Sequence, residues 1–197
     1  MSKCHNQQHW IMTDTARDID LESVVVGPLY LTGTDRPLVV RKRRLRGGLR
    51  DGVDVIELEW GSWAVSVLPT RGMGIWRAQY GSVPLRWESP VRGPVHPRFV
   101  PLYDPSGLGW LDGFDEFVVR CGLTSNGAPE FTPQGQLQYP LHGRIANQPA
   151  HYVRLSVDHE NRCVTLTGVV EEARFHFQKL RLTSTLQISF EVPTLAL

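Results

Sequence analysis

Residues 53–68 read Val-Asp-Val-Ile-Glu-Leu-Glu-Trp-Gly-Ser-Trp-Ala-Val-Ser-Val-Leu, and this stretch decides the fold class. Ile56, Leu58 and Trp60 alternate with Val55, Glu57 and Glu59, the period of two expected of a strand with one buried face. Gly61-Ser62 supplies a two-residue hairpin loop with glycine first, and Trp63, Val65 and Val67 resume the alternation up to Pro69. No residues remain between the two runs for a helical crossover, so the pairing is antiparallel.

Working outward, Gly74–Tyr80 and Val83–Trp87 read as a second pair of strands around Gly81-Ser82, with Pro84 marking an edge. Residues 88–106 are broken by Pro90, Pro94, Pro97, Pro101 and Pro105, which exclude both a helix and a central strand. A loop this long inside a compact domain covers or forms a site. Leu108, Leu111, Phe114 and Phe117 recur at near-helical spacing and predict one short capping helix. Further on, Val153, Leu155 and Val157 predict a strand, Asp158–Arg162 a turn and Val164–Val170 its partner. Phe175 and Phe177 hold one parity and Leu180 and Leu182 the other, which predicts a bulge near Gln178-Lys179. In the other direction, residues 1–20 read as a poorly ordered arm, followed by an edge strand near Val24–Val26. The whole pattern predicts an all-β architecture of antiparallel sheets.

Composition agrees and narrows the function classes. With 41% hydrophobic and 21% charged residues the chain has the make-up of a folded, water-soluble domain, and 197 residues fit one domain better than two. No apolar run reaches the roughly 20 residues that span a bilayer, and the polar start MSKCHNQQHW predicts a cytoplasmic protein without a membrane partner. A net charge of +1 provides no field to gather nucleic acid. The run Arg41-Lys42-Arg43-Arg44-Leu45-Arg46 lacks interleaved aromatics and is expected to be a solvated strand edge or connector. Cys4, Cys121 and Cys163 form no metal-type pair and are expected as reduced thiols; no metal or other cofactor is predicted. A metal site built from His142, His151 and His176 is disfavoured because those spacings contain no compact ligand pair.

Three stretches combine glycine with polar groups in a way that a plain strand does not need: Pro69–Gly74, Gly113–Gly127 and Tyr139–Asn147. Together they are expected to line a polar cleft, the glycines allowing the backbone to approach a ligand. Asp115-Glu116 and Glu171-Glu172 invite a paired-carboxylate reading, but neighbours on a strand point to opposite faces. His96 and His176 are weaker ligand candidates.

Arg71–Trp76, Trp87–Val91, Gly113–Gly127, Leu141–Asn147 and Gly168–Leu182, in that order, resemble a family of aldose 1-epimerase-like proteins of unknown exact function, within the galactose mutarotase superfamily. The resemblance covers roughly residues 50 to 186 and implies a supersandwich of antiparallel sheets with a carbohydrate as the small-molecule partner. It sets a domain at 21–186 apart from an atypical tail at 187–197. It implies that His142, in Leu141-His142-Gly143, matches a site histidine of the acid/base ring-opening reaction that interconverts sugar anomers. Arg71, Arg144 and Asn147 follow as hydroxyl-binding candidates, joined by Glu116 and Asn126. The superfamily's second histidine and catalytic glutamate are expected beyond the region matching Arg174–Thr185, which makes the fold incomplete here, predicts weak or no turnover, and leaves strand edges that invite self-association. The alternative is a non-catalytic sugar-binding module.

Overall fold

In a computed structural model, which describes residues 7–31, 33, 35–189 and 194–197, the chain forms two six-stranded antiparallel sheets packed face to face. β1 (Gln7–Asp14) and β2 (Ile19–Asp20) begin one sheet, and the chain then crosses to the other. That second sheet is a simple meander of β3 (Ser23–Leu29), β4 (Leu38–Arg44), β5 (Asp54–Trp60), β6 (Trp63–Leu68), β7 (Gly74–Tyr80) and β8 (Val83–Arg86). A long excursion carries a small hairpin, β9 (Glu130–Phe131) with β10 (Leu137–Tyr139). The chain returns as β11 (Tyr152–Asp158), β12 (Cys163–Arg174), β13 (Gln178–Ser189) and β14 (Thr194–Ala196), which complete the first sheet in the order β14-β13-β12-β11-β1-β2.

The hairpin that decided the fold class closes as the sequence requires. Trp60 pairs with Trp63, and Gly61 takes φ 60°, a left-handed value that glycine adopts without strain. Ile56, Leu58, Trp60, Val65 and Val67 from this side meet Met12, Val153, Leu155, Val157, Val164 and Leu166 from the other in one core. Edge strands are short or carry proline: β2 and β14 span two and three residues, β3 contains Pro28 and β8 contains Pro84. Such edges resist pairing with other chains.

Four expectations change. Residues 7–20 are not a loose arm: β1 sits between β11 and β2, and Met12 is fully buried. The parity change after Phe177 is a hairpin turn rather than a bulge, since Arg174 pairs with Gln178, and Phe175 and Phe177 lie 83% and 76% exposed at its tip. The capping helix is a five-residue 3-10 turn, Gly109–Gly113. The basic run is no solvated edge either, because β4 lies inside its sheet. Arg41 and Arg43 face outward to Glu59 and Glu57, Arg44 pairs with Asp20, Glu22 and Asp54, and Arg46 pairs with Glu22. Lys42 points into the sandwich, where its ammonium group donates to Thr13 Oγ1 at 3.0 Å and Asp20 Oδ1 at 2.8 Å, with Asp54 Oδ2 at 3.6 Å. These partners offset the cost of burying the charge. Cys121 and Cys163 are free thiols, whereas Cys4 lies outside the described residues. Among the described residues no helix is long and apolar enough to cross a membrane.

Candidate functional site

The three glycine-and-polar stretches converge at one end of the sandwich. Pro69–Arg71 forms a 3-10 turn that ends on Gly72 at φ 60°, and the Gly72 amide donates to Gln148 O at 3.0 Å. A side chain at Gly72 would strike the Ile145 carbonyl, so only glycine lets the first stretch lie on the third. Val118 pairs with Ile75, which sets the middle stretch beside β7, and the chain then runs as a strap across residues 122–127. The strap grips the third stretch through its backbone: Gly122 N donates to His142 O at 3.0 Å, and His142 N donates to Gly127 O at 2.8 Å. Gly122 O accepts from Arg144 N and Ile145 N at 3.1 and 3.0 Å. Gly143 also has no room for a side chain, which would meet the Ser125 and Gly122 carbonyls.

Within this knot the residues singled out from sequence divide into two groups. Arg71, Glu116 and Asn147 were expected to line a cleft, yet they are closed off from solvent and satisfy one another. Arg71 Nε donates to Glu116 Oε1, and Arg71 Nη1 donates to Asn147 Oδ1 at 2.9 Å and to Val95 O at 3.1 Å. The long proline-rich loop thus closes over the guanidinium by way of Val95. Arg71 Nη2 and Asn147 Nδ2 have no hydrogen-bond partner among the described residues. The neighbouring Asp115 accepts from Trp76 Nε1 at 2.8 Å. Burial, reinforced by the Glu116 charge, raises its pKa from 3.8 to about 6.

His142 and Arg144 form the second group and border the surface. His142 is half-buried and holds φ 56°, a left-handed conformation that costs a non-glycine residue roughly 1–3 kcal/mol and is concentrated at functional sites. Its ring meets the edge of Trp110 at 4.9 Å between centroids, and Nδ1 is buried without a partner among the described residues. Trp110 stacks on Phe114 at 5.0 Å and Phe114 on the half-exposed Trp87 at 6.0 Å, so an aromatic row runs from the imidazole to the surface. Arg144 keeps a quarter of its side chain exposed and approaches Glu172 at 3.7 Å. Asn126 is exposed on the strap.

The remaining candidates lie elsewhere. His96 accepts from Arg98 N through Nδ1, and burial lowers its pKa, which suits a residue capping the Pro97–Phe99 turn. His176 is exposed at the tip of the β12–β13 hairpin. Among the described residues no three His, Cys, Asp or Glu side chains are grouped to hold a metal. Sequence reasoning missed Trp110, Thr124 and the buried member of Glu171-Glu172. The only signal for the last was parity, since Glu172 continues the inward stripe Val164, Leu166, Gly168 and Val170.

Residues 50–197 match the family described as Domain of unknown function (DUF4432). The chain belongs to this family. The match includes residues 187–197, which the sequence reading had set apart as an atypical tail. The fold is similar to a crystal structure of a putative aldose 1-epimerase from Klebsiella pneumoniae subsp. pneumoniae, with 30% identity and a TM-score of 0.87. The similarity covers 93% of this chain and 48% of that one, so the chain spans about half the length of the structure it matches. No curated protein matches it.

Proposed function

We propose that this chain binds an aldose at the surface bordered by His142, Arg144 and Asn126, and that the activity of the full family fold is interconversion of sugar anomers by acid/base ring opening. His142 carries the reading. A half-buried imidazole held in a strained backbone and packed on a tryptophan is a poor structural filler and a good group for donating to or accepting from a sugar oxygen. Arg144 adds a partly solvated donor fork and Asn126 an exposed amide, the mixture a polyhydroxylated ring needs.

Mutarotation requires two protonatable groups on either side of the sugar. His142 can supply one of these groups, and a non-catalytic sugar-binding module is the second reading. Titration with D-glucose and D-galactose, followed by tryptophan fluorescence through Trp110, tests binding; polarimetry of freshly dissolved α-sugar tests turnover. Saturable quenching with slow mutarotation is the expected result. Rapid mutarotation would restore catalysis to the chain alone, and no saturable response to any aldose would refute the binding reading.

A further inference from the structure

Along β12 the residues facing the core are Val164, Leu166, Gly168 and Val170, and the next position on that face is Glu172. A buried carboxylate where the pattern calls for an apolar side chain is costly unless its oxygens are well bonded. Here they are. Leu123 N donates to Oε1 at 3.0 Å, and Thr124 N and Thr124 Oγ1 both donate to Oε2, the amide at 3.2 Å. The Thr124 hydroxyl in turn accepts from Gln178 Nε2 at 2.7 Å, tying the same point to β13. Arg144 Nη2 lies 3.7 Å from Glu172 Oε2. Glu171 points the other way, to Arg181 and Lys179, and has no part in this contact.

The bonds to Glu172 fall at the start of the strap that holds His142. One residue before Leu123 is Gly122, which bonds to the backbone of His142, Arg144 and Ile145; three after Thr124 is Gly127, which accepts from the His142 amide. We propose that Glu172 is the positioning residue of the sugar site: its carboxylate clasps the strap to the sheet, and so sets the backbone around His142 while it draws the Arg144 guanidinium into place. The role in sugar affinity rests on the sugar-binding reading; the positioning of His142 and Arg144 does not. Glu116 makes a contrasting use of the same chemistry, since it neutralises an arginine that never reaches the surface.

The test compares Glu172→Gln and Thr124→Val in the full chain, in wild-type and Arg144→Ala backgrounds. Two readouts are taken: D-galactose affinity by tryptophan fluorescence, and the amide and ring resonances of His142 without sugar. We expect at least a tenfold loss of affinity in Glu172→Gln and a smaller loss in Thr124→Val. The resonances of residues 122–127, His142 and Arg144 should shift while the Asn147 side-chain amide stays in place. In the Arg144→Ala background the loss from Glu172→Gln should shrink, because part of it acts through that guanidinium. Equal losses in both backgrounds, or wild-type affinity with unmoved His142 resonances, would overturn the proposal. Should Glu172→Gln fail to fold, Thr124→Val decides on the same criteria. If no sugar binds but the His142 resonances respond as expected, the sugar-binding reading fails and the positioning stands.

Discussion

Arg71 and Arg144 each sit beside a left-handed glycine, Gly72 and Gly143, and each reaches a buried glutamate, Glu116 and Glu172. They differ in what remains open. Arg71 and Glu116 are both sealed, bonded directly, and roofed by the proline-rich loop; Arg144 stays partly in solvent and only approaches its partner at 3.7 Å. The same pairing of residue types thus makes a lock in one place and a presented cation in the other. Glycine beside arginine in a sequence signals close backbone packing, whereas exposure decides whether the charge can meet a ligand.

The contrast is sharpest in stability. Arg71→Met leaves Glu116 charged and buried with no cation, and should cost about 3–5 kcal/mol in urea unfolding. The double variant Arg71→Met/Glu116→Leu should recover most of that loss, since a buried pair is roughly interchangeable with apolar packing. Gly72→Ala should rank next. Its side chain meets the Ile145 carbonyl from a left-handed backbone, and overpacking alone is worth about 1–3 kcal/mol. At the other arginine, Arg144→Ala should move stability by only about 0–1 kcal/mol while weakening sugar affinity.

Asp115 holds its proton to about pH 6 in the folded chain but only to about 3.8 when unfolded, so between these values the folded state binds more protons. Its contribution therefore favours folding at acid pH and is lost as pH rises through about 6. Asp115→Asn keeps an acceptor for Trp76 Nε1 without a charge to bury, and should raise the melting temperature over wild type at pH 7.5 but not at pH 4.5. An equal gain at both values would show that the carboxyl is not held protonated.

The sequence was informative where a pattern is local. Alternation and the glycine-first loop placed the β5–β6 hairpin to the residue, and parity set Glu171 and Glu172 on opposite faces without saying which is buried. It failed where structure depends on distant partners. The burial of Arg71 is set by Glu116 and Asn147, 45 and 76 residues further along, and nothing near Arg71 announces them. In β1 the pairing slips between Ile11 and Thr13, which breaks the period of two and made a strand look like a polar arm. After Arg174 a change of parity is the same signal for a bulge and for a tight turn, and only the pairing of Arg174 with Gln178 tells them apart.

Direct contact between His142 and the sugar is what sugar binding at this surface requires. The His142 ring resonances, followed in a histidine-labelled chain during titration with D-galactose, give the most direct test. We predict that the His142 signals move and saturate together with the fluorescence change, while those of His96 and His176 stay where they are. Saturable quenching with a silent His142 ring, or movement at His96 or His176 in its place, would contradict the account.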